Sequence, residues 1–164
     1  MSVFNIGRQF SNDPQGRFYS DGQGSGEEFR EKHLKAKLAE LKNGETLTII
    51  LDDDVDGYGS SFLTEGFAGM VKYGYMKADD LLSKIQFKYS DTDFAFYEKK
   101  VRQYIAEAEF NSKKYEPTKP IGAAWALLRY RWKNLKLPVI LSQAIFRTAL
   151  KNPSTYNTQS SLTL

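Results

Sequence analysis

The segment TLTIIL, residues 46–51, most restricts the possible folds of this chain, because β-branched and apolar residues occupy both of its alternating positions. Such a segment is typical of a central strand that is covered on both faces of a sheet. The string LDDDVDGYGSSFLTEGFAGM, residues 51–70, follows at once and combines an acidic turn with apolar residues at helical spacing. The sequence therefore predicts a strand-loop-helix unit at this point.

Helical and strand patterns alternate around this unit. Ser25 and Glu28 form a capping box ahead of a helix, and a strand over 85–90 precedes a helix over 94–108. Near the N-terminus, SVFNIGRQF and RFYS predict two short strands of a hairpin. The alternation predicts an α/β fold with a mixed, mostly parallel sheet and helices packed against it. The single histidine, His33, is expected on the surface of the first helix.

Charge and proline placement predict four segments in the 164 residues. Residues 1–110 form the α/β domain with a net charge of −5, and residues 111–164 carry +8. Pro117 and Pro120 bound a linker over 111–120. A basic helical hairpin is predicted over 121–152, and a polar, disordered tail over 153–164.

Composition excludes several kinds of site. The chain has no cysteine and one histidine, so disulfides, zinc-thiolate sites, a cysteine nucleophile and multi-histidine metal sites are ruled out. The sequence lacks an apolar run of the ~18 residues that a membrane helix needs, and its start lacks the pattern of a signal peptide. We therefore expect a cytoplasmic protein without a membrane association.

The acidic string allows two metal hypotheses. Asp52, Asp54, Asp56 and Gly57 match the first, third, fifth and sixth positions of a calcium loop, but Leu63 occupies the place of the required glutamate. A magnesium ion on Asp52 and Asp54 at the end of a strand is easier to build. The favoured interpretation is an acidic strand end exposed to solvent, and no cofactor is predicted.

The serines after this loop have their own interpretation. No lysine precedes Ser60 and Ser61, so the loop is not a P-loop for nucleotide phosphates. The glycines allow a tight turn, and one of the two serines is expected to cap the helix that follows.

Two motifs together resemble the bacterial family of STAS-like domains of unknown function. They are GRFYSDGQGSGEEFREKHL and LDDDVDGYGSSFLTEGFAGMVKYG, and the resemblance covers about residues 3–108. It implies a small α/β domain related to the anti-sigma-factor antagonists, which have no catalytic activity. In those relatives, a serine at the start of the helix after the central strand is phosphorylated by a kinase of the histidine-kinase-like ATPase fold.

The resemblance implies a non-enzymatic regulatory and protein-interaction domain with a phosphoserine switch. The matching serine is Ser61, with Ser60 as the second choice. The partner-binding and phosphorylation site that it implies consists of Ser61, Ser60, Asp56, Gly59 and Phe62. The loop of the other motif adds Asp21, Ser25, Glu28 and Arg30. The partner would be a histidine-kinase-like ATPase or another serine kinase.

A second hypothesis uses the basic C-terminal segment. Its helices would bind nucleic acid through Arg129, Arg131, Lys133 and Lys136, as an accessory protein of a mobile-element or defence system. The same helices could instead form a homodimer, because their apolar faces are larger than a lone hairpin can bury.

Overall fold

Three short parallel strands organise residues 2–118, the part of the chain that the computed structural model describes. They form one sheet in the order β1-β2-β3, and their bounds are β1 Ser2–Asn5, β2 Leu47–Ile50 and β3 Ile85–Lys88. Phe4 lies opposite Ile49, and Ile49 lies opposite Phe87, so these side chains share one face. The predicted central position of segment 46–51 is confirmed.

The predicted N-terminal hairpin is wrong. Strand β1 pairs with β2 in parallel, and a parallel pair needs a crossover connection instead of a tight turn. The chain leaves β1 into a helical turn, where the Asn5 side chain accepts a hydrogen bond from the Arg8 N–H. The segment RFYS contributes to the 3-10 turn Tyr19–Asp21. The sheet of the described residues is parallel throughout, so the antiparallel part expected in a mixed sheet is not found there.

Five helices of the described region connect or cover the strands. Their bounds are α1 Ile6–Gln9, α2 from Gly26–Phe29 through Arg30–Leu34 to Lys35–Ala39, α3 from Ser60–Leu63 through Thr64–Ala68 to Gly69–Lys72, α4 Ala78–Lys84 and α5 Ala95–Glu107. The middle segments of α2 and α3 are π-helical turns. A second 3-10 turn, Thr92–Phe94, precedes α5. The order helix, strand, helix, strand, helix predicted for residues 25–108 is thus confirmed, with the additional helix α4 before β3.

The core lies between one face of the sheet and the helices. Phe29 of α2 is fully buried, with its ring centre 5.4 Å from Phe62 and 5.2 Å from Phe67. In β2, Leu47 and Ile49 are buried, whereas Thr48 and Ile50 on the opposite face are half-buried. This strand is therefore closed completely on one face only, which corrects the expectation of equal cover on both faces.

His33 is not the surface residue that was expected. Its ring is half-buried and packs 5.4 Å from the Phe4 ring and 5.3 Å from the Phe10 ring. Burial, together with the neighbouring Lys32 charge, lowers the pKa of His33. The neutral imidazole thus serves as part of the aromatic packing between β1 and α2.

Some predictions fall on residues 119–164, which lie outside the described part. They are the hairpin over 121–152, the tail over 153–164 and the nucleic-acid residues Arg129, Arg131, Lys133 and Lys136. The described residues belong to a compact unit that extends to Pro120. Within residues 2–118, no helix has the length and apolar character needed to cross a membrane.

Candidate functional site at the carboxyl edge of the sheet

Helix α3 begins at Ser60, directly after the acidic loop. Gly59 is its N-cap, with an extended backbone and no side chain to accept a hydrogen bond. The expectation that Ser60 or Ser61 caps the helix is therefore wrong, because both serines already lie in its first turn. A Cβ added at Gly59 would lie 2.7 Å from Gln15 Oε1 and 3.0 Å from the Gln15 carbonyl oxygen. Glycine occupies the cap position because a neighbouring loop leaves no room for a side chain.

The two serines differ in exposure. Ser60 is exposed and Ser61 is half-buried. The Thr64 hydroxyl donates to the Ser60 carbonyl oxygen at 2.8 Å, one turn further along the helix. Both serines lie where a helix favours negative charge, since the N–H groups of the first turn point outward.

Asp52 connects the ends of two neighbouring strands. Its Oδ2 accepts hydrogen bonds from the backbone N–H groups of Ser90 and of Asp91, the latter at 2.9 Å. Partial burial acts to raise the pKa of Asp52, but these donors outweigh it and hold the pKa below the ordinary value. The carboxylate therefore fixes the loop after β3 to the end of β2.

Asp53 makes the corresponding connection on the other side. Its Oδ2 accepts from Arg8 Nε at 2.7 Å and from Asn5 Nδ2 at 2.6 Å. Hydrogen bonds from Arg8 and Asn5 lower the pKa of Asp53. Asp54 then takes a left-handed conformation with φ 65°, which turns the chain sharply.

The metal hypotheses gain no support from this geometry. Two of the acidic side chains are engaged in hydrogen bonds between strands, and Asp54 and Asp56 are exposed. Among residues 2–118, no group of three or more acidic or imidazole side chains is placed to hold a metal ion. The favoured interpretation, an acidic strand end that faces solvent, describes Asp54 and Asp56.

Phe62 is part of the core and not of a partner surface. Its side chain is fully buried, and its ring stacks 5.8 Å from Tyr58. The Tyr58 hydroxyl donates to the Leu51 carbonyl oxygen at 2.7 Å, so the loop folds back onto the strand from which it comes. Burial raises the pKa of Tyr58 above its ordinary value. Phe62 is therefore not available at the predicted site. Asp56 and Gly59 lie in the loop, and Ser60 and Ser61 lie in the first turn of α3.

The loop of the first motif is closed by its own aspartate. Asp21 Oδ2 accepts from the N–H groups of Arg17 and Phe18 at 2.8 and 3.0 Å, and these bonds lower the pKa of Asp21. Ser25 Oγ accepts from the Glu28 N–H at 3.3 Å, which confirms the Ser25 half of the predicted capping box. The Glu28 carboxylate pairs with Lys32 one turn further on.

The segment that leads into the first motif contacts the second motif. The Gly59 N–H donates to the Pro14 carbonyl oxygen at 3.2 Å, so this segment supports the start of α3. Behind them, helices α2 and α3 cross at glycine. A Cβ at Gly26 would lie 2.6 Å from the Phe62 carbonyl oxygen and 2.8 Å from the Gly66 nitrogen. The glycines of both motifs thus serve one close helix contact.

Arg30, predicted as part of the loop site, is instead a buried residue of α2. Its side chain is fully buried, and Nη1 donates to Glu65 Oε1 at 2.6 Å and to the Glu65 carbonyl oxygen at 2.7 Å. Nε donates to Glu31 Oε1 at 2.9 Å. The guanidinium carbon lies 4.5 Å from the Tyr73 ring centre and 5.0 Å from that of Tyr115. This cluster joins the two π-helical turns of α2 and α3.

Glu27 was not singled out from the sequence, although it is fully buried. Its carboxylate accepts from the Tyr115 hydroxyl at 2.8 Å, from the Thr118 N–H at 3.0 Å, from the Tyr19 N–H at 3.1 Å and from the Thr118 hydroxyl. Burial acts to raise the pKa of Glu27, but these hydrogen bonds outweigh it and lower the pKa. The local sequence does not distinguish Glu27 from Glu28, because its partners Tyr115 and Thr118 lie 88 and 91 positions away along the chain.

A three-stranded parallel sheet with helices on one face and a serine-bearing helix start after its central strand defines an α/β domain. Residues 25–93 match the model of the family described as STAS-like domain of unknown function (DUF4325). Comparison with curated proteins and with solved structures gave no significant match. The predicted fold class of residues 1–110 is confirmed.

Proposed function

We propose that this STAS-like domain is a non-enzymatic regulatory domain that binds a protein partner at its docking edge. The docking edge consists of residues 54–61, which run from the sharp turn at Asp54 to the first turn of α3. Asp54, Asp56 and Ser60 are exposed there, and Gly57 and Ser61 are half-buried. A chain segment that is anchored in the core by Val55 and Tyr58 and exposes Asp54, Asp56 and Ser60 can present a fixed surface to a partner.

One observation carries the regulatory part of the proposal: two serines occupy the first turn of a helix whose cap residue is glycine. A phosphate on either serine would lie close to N–H groups that no cap side chain engages, where the helix dipole favours its charge. The domain could therefore accept the modification without unfolding. Ser61 is the position that the family resemblance favours, and Ser60 is the more exposed hydroxyl.

The charge of the docking edge indicates what modification would do. Asp54 and Asp56 are exposed on it, and Asp91 and Asp93 are exposed in the loop after β3. A phosphoserine would add about −1.5 to −2 charges at neutral pH to this surface. It would weaken docking of an acidic partner surface and block close approach at the helix start. The proposed partner class is a histidine-kinase-like ATPase or another serine kinase.

The proposal can be tested with a photo-crosslinking amino acid at position 56 of the full chain, in cells of the source organism. A matched crosslinker at Asp79, an exposed residue at the start of α4, serves as control. We expect a partner that is captured from position 56 and not from position 79. The purified partner is then titrated with Ser60→Ala, Ser61→Ala, Ser60→Glu and Ser61→Glu variants. Equal affinities for all variants would contradict the switch, and equal capture from both positions would contradict the docking edge.

The charge of residues 111–164, +8, favours nucleic acid as an alternative partner class. Binding would then depend steeply on salt, because each phosphate contact releases a counterion. Exchanging Arg129, Arg131, Lys133 and Lys136 for glutamine in the full chain should reduce both the affinity and its salt dependence. DNA and RNA binding that is weak and independent of salt would remove this alternative.

A further inference from the structure

Residues 111–118, which we name the strap, cross the surface of the domain in an extended path. The Asn111 N–H donates to the Val71 carbonyl oxygen at 3.0 Å, and the Lys113 N–H donates to the Lys72 carbonyl oxygen at 3.2 Å. Asn111 has a left-handed backbone with φ 56° and lies against Gly74. The strap therefore begins at the C-terminal end of α3, at a sharp turn.

The far end of the strap is bound by Glu27. Tyr115 and Thr118 supply three of the hydrogen bonds that this buried carboxylate accepts. The Tyr115 ring also lies 5.0 Å from the Arg30 guanidinium carbon and 5.3 Å from the Tyr73 ring. A buried carboxylate is costly unless its oxygens are paired, so the strap and Glu27 stabilise each other.

The remaining hydrogen bond to Glu27 comes from a different segment. The Tyr19 N–H donates to the same Oε2 that the Thr118 hydroxyl contacts. Residues 14–21, which we name the support loop, are held at that end of α2 by two more bonds. The Gly26 N–H donates to the Gly16 carbonyl oxygen, and the Glu27 N–H donates to the Arg17 carbonyl oxygen, both at 2.9 Å.

The support loop in turn holds the docking edge. The Pro14 carbonyl oxygen accepts from the Gly59 N–H, and Gln15 packs so closely on Gly59 that a Cβ there would overlap it. A continuous series of direct contacts therefore runs from the strap through Glu27 and the support loop to the cap of α3. Displacement of the strap removes the three hydrogen bonds that Tyr115 and Thr118 donate to the buried Glu27 carboxylate.

We propose that the buried Glu27 carboxylate couples two events, the binding of the strap to the domain and the ordering of the docking edge. We name this coupling contact the latch. Release of the strap leaves Glu27 short of donors and loosens the support loop beneath Gly59. By linkage, a change at Gly59 that moves the support loop weakens the strap to the same extent. This deepens the proposed function and rests on it in treating residues 54–61 as the docking edge. A partner or phosphate there would thereby control the strap that leads into residues 119–164.

Hydrogen exchange of the full-length protein, measured by mass spectrometry without any partner, tests the latch in both directions. The first variant is Tyr115→Phe/Thr118→Val, which removes two hydroxyl donors from Glu27 and leaves the side-chain volumes nearly unchanged. We expect about tenfold faster exchange in the strap, because hydrogen bonds to a charged group are lost. We also expect faster exchange in the support loop and in residues 57–61. Tyr89→Phe, which removes a hydroxyl bonded to Glu98, is the matched control.

The reverse direction uses Gly59→Ala, because its Cβ would force Gln15 away. We expect exchange in the strap to rise at least severalfold. Gly57→Ala is the matched control, since its Cβ meets only the hydroxyl end of Tyr97. Exchange in β2 reports global unfolding, and the rise in the strap and in the support loop should exceed any rise in β2 in the Tyr115→Phe/Thr118→Val and Gly59→Ala variants. Faster exchange at the substituted site, with unchanged exchange at the other of the two segments (the strap or residues 57–61), would overturn the latch. That outcome would not contradict the proposal that the docking edge binds a partner.

Discussion

Arg30 and Glu65 form an ion pair of 2.6 Å between a fully buried guanidinium and a carboxylate that is 2% exposed. The pair joins the π-helical turns of α2 and α3, and it lies beside Gly69, where a Cβ would approach Arg30 Nη1 to 2.5 Å. The helices can approach this closely only because glycine leaves room for the arginine side chain. The two family motifs thus meet in one buried polar contact as well as in the Gly26–Gly66 crossing.

Removing one member of this pair should destabilise the domain strongly. Glu65→Gln leaves the buried Arg30 guanidinium without this counter-charge, and Arg30→Met leaves the buried Glu65 carboxylate without the guanidinium donor. We expect each variant to lower the free energy of unfolding by about 3–5 kcal/mol. Urea denaturation followed by circular dichroism measures this. Lys37→Ala is the control, because its ion pair with the exposed Glu40 is worth less than about 1 kcal/mol.

A double variant measures the interaction between Arg30 and Glu65 separately from what each side chain contributes alone. Arg30→Met/Glu65→Leu removes both charges together, and it should cost less than the sum of the two single variants. Additive losses would show that the two side chains are stabilised independently, contrary to the contact described here.

The glycine crossing makes a separate prediction. In Gly26→Ala, the new methyl group would meet backbone atoms of α3 at 2.6 and 2.8 Å, and backbone cannot move aside without separating the helices. We expect a loss of about 1–3 kcal/mol or more in the free energy of unfolding. Gly57→Ala should cost clearly less, because its Cβ meets the far end of the Tyr97 side chain, which can shift aside, and not the backbone. Thermal unfolding of the two variants measures the difference. Equal unfolding midpoints would contradict the close contact of α2 and α3 at Gly26.

Much of the fold was predictable because local patterns reflect it. The two-sided apolar pattern of 46–51 placed β2 in the centre, and Ser25 marked the start of α2. The N-terminal hairpin failed for a physical reason: nothing in RFYS distinguishes a short strand from a turn that is set by the Asp21 carboxylate. Such short segments are decided by hydrogen bonds to residues nearby and not by their own periodicity.

The candidate site was harder to predict because its polar residues are used inside the fold. Asp52 suggested a metal ligand from the sequence, yet its Oδ2 accepts hydrogen bonds from the loop after β3. Ser60 and Ser61 suggested caps, but the cap position is one residue earlier and is held by glycine through a contact with Gln15. Contacts between residues that lie 38 or more positions apart along the chain decide these roles, and no local pattern encodes them.

Acid should weaken the domain partly through Asp52. Its pKa in the folded state lies below the unfolded value of 3.8, so the folded state binds its proton less readily. The stability that it contributes is complete above the unfolded pKa and is lost as pH falls through the folded pKa. We expect the difference in unfolding free energy between wild type and Asp52→Asn to shrink as the pH is lowered from 6 towards about 3. A difference that stays constant over this range would contradict the proposed role of the carboxylate.

The helix start provides the final prediction. A negative charge in the first turn of α3 should be tolerated, because Gly59 leaves its N–H groups without a side-chain cap. We expect Ser60→Asp to raise the free energy of unfolding by about 0.3–1 kcal/mol at low salt, with the gain lost at high salt.

In contrast, Gly59→Ser should destabilise the domain although serine is a preferred cap, because its Cβ would overlap Gln15. Urea titrations at two salt concentrations measure both variants. A stabilising Gly59→Ser would show that the support loop yields easily, and a strongly destabilising Ser60→Asp would show that this helix start cannot accept a phosphate.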